Sequence, residues 1–242
     1  MQGIILAAGI SKRLRPLTDV TPKCLLEIDT KNILHRTIDN LTHNGIKDII
    51  IVTGYKEEMI KNYIAKHITG LNPTYITNTG HESNNNAYSL WMTKDKVHDD
   101  VLLLDSDIIF DKAIIGKLLE SEHENVIAVN CDCDADEEQI KVTMDEDRKI
   151  TSIGKEIGLN DSKGESIGIE KFSAFYMKEL YNILEDRIIK QNLVNEFYER
   201  SFQEIIQKND PRNYIYGLDV SEYKCMEIDT IEDFNSAQGL NI

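Results

Sequence analysis

The stretch MQGIILAAGISKRLRPLTDVTPK (residues 1–23) opens with an unbroken apolar run and turns, at Gly9, into a cationic loop. Lys12, Arg13, Arg15 and Lys23 face one acid, Asp19, so residues 9–23 carry +3 in a chain of formal net charge −15, and the remainder carries −18. Cations gathered against such a background imply a bound anion. A strand that leads into a glycine-containing loop leaves free backbone N–H groups beyond its carboxyl end, where open α/β sheets take their ligands. It is not a Walker loop, since GxxxxGK[ST] is absent, and the dinucleotide pattern GxGxxG is absent too. The acidic balance elsewhere would repel a polyanion, so no nucleic acid is expected and the anion is small.

Apolar runs of strand character recur at residues 3–8 (GIILAA), 48–53 (DIIIVT), 74–77 (TYIT), 100–105 (DVLLLD) and 125–130 (NVIAVN). Helical spacing separates them, with Ile33, Ile38 and Leu41 before Gly45, then Met59, Ile60, Tyr63 and Ile64. Near-continuous apolar strands alternating with amphipathic helices predict an α/β, Rossmann-like domain: a mixed, mostly parallel sheet with helices on both faces. Later come short strands (IKVTM, KITSIG, IGIEKFSAF), a helix-rich stretch from Met177 to Lys208, and closing strands YIYGLDV and CMEI. No linker-like composition or repeat divides the 242 residues, so a single domain is expected. Cys24, Cys131, Cys133 and Cys225 lack CxxC spacing and read as reduced thiols. The DCDADEE run (132–138) lacks the spacing and glycine of an EF-hand loop and reads as a solvated loop. No apolar run approaches the roughly 20 residues of a membrane span, and the opening is too soon charged for a signal segment. A soluble, cytoplasmic protein with no membrane partner is expected.

LAAGISKRLRPLTDVTPK (6–23) closely resembles the signature LAAGxGxRLxPLTxxxPK of the nucleotidylyltransferases that make activated sugars and alcohols, and the resemblance extends over nearly the whole chain. It implies that Leu6, Ala7, Ala8, Gly9, Ser11, Lys12 and Arg13 wrap a nucleoside triphosphate, with Arg13 on the β and γ phosphates and Lys23 reaching the α phosphate. Ser11 stands where many members have glycine. LLLDSDIIF (102–110) and CMEIDTIEDF (225–234) supply Asp107 and Asp229, which match the family's two metal aspartates. Two carboxylates with substrate phosphates and water suffice for Mg²⁺. Asp105 is expected as an outer or additional ligand, and helix capping is the alternative for Asp107 and Asp229. Lys155, in TSIGKEIG (151–158), resembles the lysine of the family's EKP step that contacts the acceptor phosphate, without its proline.

NTGHESNNNAYSLWM (78–92) resembles the NNxYSL motif of bacterial phosphocholine cytidylyltransferases, through Asn85, Asn86, Tyr88 and Ser89. Asparagine amides offer both donors and acceptors to a cytosine edge or a ribose. The aromatic pair Phe197 and Tyr198, followed by Glu199, resembles part of the choline cage of those enzymes, while Arg200 suits a carboxylate better than a trimethylammonium. A helix-surface pair with Glu196 is the alternative for Arg200.

What the resemblance implies is a Mg²⁺-dependent cytidylyltransferase that moves CMP from CTP to a phosphoglutamine-like or phosphocholine headgroup, releases pyrophosphate, and serves capsule or surface-polysaccharide decoration. Residues 1–130 would form its nucleotide-binding half and 131–242 its acceptor-binding half; a homo-oligomer is compatible with it. A sugar-1-phosphate nucleotidylyltransferase using UTP or dTTP is one alternative. A non-catalytic nucleotide sensor is another, against which the retained Asp107 and Asp229 argue. A phosphate monoester, with a second pKa of about 6, is already mostly dianionic at pH 7, so the acceptor needs no general base.

Overall fold

Residues Gln2–Ala7 form the strand that the opening apolar run predicts. Successive side chains of a strand point to opposite faces, so Ile4 and Leu6 enter one core while Ile5 and Ala7 enter another. A strand buried on both faces must be apolar throughout, which is why GIILA shows no polar alternation. In the computed structural model, which describes residues 1–132 and 136–240, this strand is β1. A short α1 (Leu17–Val20), the hairpin strands β2 (Glu27–Ile28) and β3 (Lys31–Asn32), and α2 (Ile33–His43) follow. Then come β4 (Asp48–Thr53), α3 (Glu57–His67), β5 (Thr74–Thr77), α4 (Asn86–Trp91), β6 (Val101–Asp105) and β7 (Ile108–Phe110). The chain continues through α5 (Ala113–Glu120), β8 (Val126–Asn130), β9 (Lys141–Met144), β10 (Ile150–Gly154) and β11 (Gly164–Phe172). It closes with α6 (Ala174–Glu185), α7 (Glu199–Lys208), β12 (Tyr216–Asp219), β13 (Cys225–Glu227) and α8 (Ile231–Ala237).

The main sheet has nine strands, with β1 parallel to β4 and β6, and β4 parallel to β5. β11 runs antiparallel to β6 and then to β9, with β10 beyond, while β8 and β12 extend its other edge. One face is covered by α4, α6 and α7 through Leu90, Leu180 and Phe202, and the other by α2, α3 and α5 through Ile38, Ile60 and Ile114. Burying each such side chain contributes about 1.5–3 kcal/mol. Among the described residues no helix is long and apolar enough to cross a membrane. Cys24, Cys131 and Cys225 are free thiols; Cys133 and the centre of the DCDADEE run lie outside the described residues.

Two elements differ from the sequence expectation. β11 starts at Gly164 and stops at Phe172, ahead of the predicted end at Phe175. Ser173 stops it: the hydroxyl accepts from Tyr176 N at 3.2 Å and caps α6. β7 has no counterpart in the sequence reading, because IIF directly after LLLDSD looks like the end of one apolar run; it pairs instead with β13, outside the main sheet.

The pairing of β11 is interrupted where it matters for the site. Its register on β8 shifts between Ser166 and Glu170, at a bulge that holds Gly168 at φ +69°. β6 and β9 meet β11 on opposite sides of this bulge, and a cleft opens between them at the carboxyl end of β6. Glycine is required here twice over: the backbone is left-handed, and a Cβ would stand 2.9 Å from Asp105 Oδ2 and 3.0 Å from Ile108 Cδ1. Gly168→Ala should therefore cost about 1–3 kcal/mol, a fall in Tm of roughly 2–10 °C, measurable by calorimetry; an unchanged Tm would show that the bulge relaxes freely.

Candidate active site

Leu14, Leu26, Ile33, Ile109 and Ile228 share a small third core. It pins the loop after β1 against the β7–β13 ribbon, and so brings cations from the start of the chain to carboxylates near its end. In the ribbon Glu227 pairs with Ile108, and Ile228 N donates to Asp107 O at 2.8 Å, which sets Asp107 beside Asp229. Lys23, in a turn behind Pro22, donates from Nζ to Asp107 Oδ2 at 2.9 Å and to Asp229 Oδ1 at 2.6 Å. Arg13 bonds the second oxygen of Asp229. Neither aspartate caps a helix: Thr230 caps α8 in a reciprocal box with Asp233, whose carboxylate also accepts from Asp229 N at 3.1 Å, and α5 begins only at Ala113 behind Lys112.

The Lys23 side chain is only 7% exposed. Burial works to lower its pKa, and the charges of Asp107 and Asp229 more than offset that, so the ammonium is held above its ordinary value. Burial likewise opposes ionisation of Asp229, but Lys23 and Arg13 hold its carboxyl below the usual range. A third acid completes the group. Glu227 lies two residues before Asp229 on β13, and oxygens of Asp107, Glu227 and Asp229 come within 4.8 Å of one another. Burial, with Asp107 and Asp229 close by, pushes Glu227 up to about 8. Asp107 Oδ1 is buried without a hydrogen-bond partner. An all-oxygen donor set with an orphaned carboxylate oxygen fits a hard divalent cation. The sequence signal for Glu227 was the ExD spacing, which puts a second acid at the end of β13 two residues before Asp229.

These groups line a cavity of about 680 Å³, with Leu6, Ala7, Ala8, Gly9, Ser11 and Arg13 on one side and Lys155, Glu165, Phe197 and Glu199 on the other. Ser11 adopts φ 53°, the left-handed region that accounts for glycine at this position in related signatures. A methyl group on Gly9 would meet no protein atom within 4 Å; the fold does not require that glycine, and the close approach of a ligand would. Asn85, Asn86 and Ser89 also line the cavity, in a segment fixed from behind. Buried Asn78 exchanges amide bonds with Asn84 at 2.8 and 3.0 Å and donates to Ser89 Oγ at 3.0 Å. Asn85 is the N-cap of α4, and Asn86 Oδ1 accepts from Tyr198 N at 3.0 Å. Asn78 and Asn84 belong to the quoted 78–92 segment but were not singled out within it.

Three residues expected at the site do not line the cavity. Lys12 is exposed and outside its wall. α7 turns Glu199, Phe202 and Ile205 inward, which leaves Arg200 outside, 59% exposed and paired with Glu156; Glu196 pairs with Arg187. Tyr198 is fully buried, its hydroxyl donating to Asp105 Oδ2 at 2.9 Å, so Asp105 is tied to the core and stands apart from the metal-competent group. Lys155 does line the cavity, its Nζ 3.4 Å from Glu138 Oε2 and 5.0 Å above the Phe197 ring.

A mixed α/β sheet with a cationic loop and paired carboxylates at its strand ends defines a nucleotide-binding scaffold of the nucleotidyltransferase class. Residues 2–150 match the nucleotidyl transferase family model, and the chain belongs to that family. It is 28% identical to the CTP:phosphoglutamine cytidylyltransferase of Campylobacter jejuni, over 96% of this chain and 97% of that protein. It is 25% identical to the choline-phosphate cytidylyltransferase of Streptococcus pneumoniae, over 98% and 97%. The solved CTP:phosphocholine cytidylyltransferase of S. pneumoniae superposes with a TM-score of 0.77, covering 97% of this chain and 96% of that one.

Glu170 and Glu199 are buried beside Asp105, and burial, reinforced for Glu170 by Asp105, raises both pKa values, that of Glu199 to about 7. The folded protein therefore keeps protons that the unfolded chain releases near the ordinary carboxylate pKa, and stability is lost as pH rises from there through about 7. Glu199→Gln should remove part of that loss, so its Tm falls less than wild type between pH 5 and pH 8 in differential scanning fluorimetry. Parallel curves for the two proteins would contradict it.

Proposed function

We propose that the protein transfers CMP from CTP to a small phosphorylated headgroup, phosphoglutamine-like or phosphocholine, and releases pyrophosphate. The observation that carries this reading is the convergence of the loop after β1, Lys23, Asp107 and Asp229 on one cavity, in a chain similar over nearly its full length to two cytidylyltransferases. In this account the backbone N–H groups around Gly9 and the Arg13 guanidinium bind the triphosphate, and Lys23 neutralises charge at the α phosphate. The acceptor phosphate, mostly dianionic at pH 7, is itself the nucleophile: its oxygen bonds to the α phosphorus while the bond to the pyrophosphate oxygen breaks and the electron pair leaves with pyrophosphate. No side chain takes a proton. Positioning and charge neutralisation supply the rate, and Lys155 orients the acceptor phosphate. Asp107, Glu227 and Asp229 would hold Mg²⁺, which supplies further positive charge to the phosphates when bound. The segment from Asn84 to Ser89 frames the base. The product, an activated headgroup, suits decoration of a surface polysaccharide.

Pyrophosphate release should be measured with CTP, UTP, dTTP, ATP and GTP against phosphocholine, an amide phosphate of glutamine and glucose 1-phosphate. A pocket that hydrogen-bonds one base edge rejects others by about a hundredfold or more, so CTP should lead by that margin with a headgroup phosphate. Asp107→Asn should cost at least about a hundredfold in turnover with the fold retained. Comparable efficiency with UTP or dTTP and the sugar phosphate would replace this reading with the sugar-nucleotide one.

A further inference from the structure

Phosphoglutamine and choline phosphate, the acceptors in the names of the two relatives, differ at their cationic ends: one has a primary amine, the other a trimethylammonium. Resting on the cytidylyltransferase reading, we infer that this cavity takes a phosphomonoester or phosphoramide bearing a protonated primary amine, which Glu199 and Glu165 receive, in preference to a quaternary ammonium or an uncharged group. The cavity wall away from the loop after β1 carries Asp136, Glu138, Glu165 and Glu199 against a single ammonium, Lys155. Lys155, which faces the acceptor phosphate in the proposed reaction, stands 3.4 Å from the exposed Glu138 carboxylate and 5.0 Å from the Phe197 ring centroid. Glu165 and Glu199 have no direct ion-pair partner among the described residues, although the charges of Lys141 and Lys155 reach them. Glu165 is oriented by Gln139, whose Nε2 donates to its Oε2 at 2.9 Å. Glu199 lines the cavity, is 7% exposed, and has an Oε2 with no hydrogen-bond partner. A buried carboxylate oxygen without a donor is costly, and a ligand N–H group would satisfy it.

A trimethylammonium has no N–H to give and is held by several aromatic faces. Among the described residues the cavity offers two rings, His81 and Phe197. His81 belongs to the nucleotide side, its Nδ1 2.9 Å from Asn78 O, which leaves Phe197 as a single aromatic face on the acceptor side, with Lys155 Nζ 5.0 Å from its centroid. Tyr198, the residue that would pair with Phe197 in a cage, is buried with its hydroxyl on Asp105. A primary ammonium, in contrast, has three N–H donors that match carboxylate and amide oxygens. Arg200 lies outside the wall on Glu156, so the amine, and not an attached carboxylate, is the group this cavity is built to recognise.

The test is calorimetric titration of the full chain with phosphoethanolamine, propyl phosphate (the same shape with a methyl for the ammonium) and phosphocholine. Phosphoethanolamine should bind at least about tenfold more tightly than either of the others. Glu199→Gln and Glu165→Gln should each remove most of that margin and leave propyl phosphate within about twofold, which also shows that the variant cavity is intact. Propyl phosphate or phosphocholine binding as tightly as phosphoethanolamine, failure of all three to bind, or equal weakening of all three by the variants would overturn the inference. CMP transfer from CTP, followed on the same samples, separates the two claims. Amine-selective binding without transfer overturns the cytidylyl reading alone, and transfer that favours phosphocholine overturns the amine inference alone.

Discussion

Lys23 holds together two carboxylates that reach it from distant parts of the chain, Asp107 and Asp229, which lie 84 and 206 residues away in sequence. Ions taken out of water lose several kcal/mol of solvation each, and an isolated buried pair seldom repays that. Here the ammonium faces more than one carboxylate, with Arg13 on the outer oxygen of Asp229 and Glu227 near the same group. The arrangement is a charge balance that an incoming ligand can alter: in the proposed reaction phosphates would bring negative charge toward Lys23 and Arg13, and a divalent cation would bring positive charge toward the acids. The third hydrophobic core supports this arrangement, since Leu14 and Leu26 share it with Ile109 and Ile228 and so hold the loop against the ribbon.

The molecule keeps its acids in two conditions. Asp229 is drawn toward ionisation by Lys23 and Arg13 against its burial. Asp105 and Glu170 are pushed the other way, by burial first and then by their acidic neighbours, although Tyr198 donates to both, at 2.9 and 3.5 Å. Tyr198 also hands its backbone N–H to Asn86, so the strand that ends at Asp105, the asparagine segment and the start of α7 are one hydrogen-bonded unit. The chain as a whole is strongly negative, and the cations after β1 stand out against that background as a place for an anion.

Most of this was legible in the sequence, for physical reasons that differ by element. β1, β4 and β6 were readable because a strand buried on both faces leaves an uninterrupted apolar run, and Lys23, Asp107 and Asp229 because the resemblance pointed to them one by one. Glu227 was missed although its ExD spacing was visible, and β7 because nothing in IIF marks a change of partner strand. Arg200 misled for a different reason: its neighbours Phe197 and Glu199 do line the cavity, but one helical step of about 100° carries Arg200 past the wall. Gly168 and the bulge around it could not be read from one sequence, since the requirement comes from Asp105 and Ile108, which lie on other strands.

The central claim is that Lys23 and a divalent cation answer to the same carboxylates. Its most direct test is the Tm of wild type and Lys23→Met against Mg²⁺ concentration, without nucleotide. Loss of the ammonium leaves the acids uncompensated, so the variant should unfold at lower temperature in chelator, by about 3–5 kcal/mol of stability, and should gain more from Mg²⁺ than wild type does, since binding to the native state stabilises it by mass action. An equal Mg²⁺ response in the two proteins, or a variant as stable as wild type in chelator, would contradict the account.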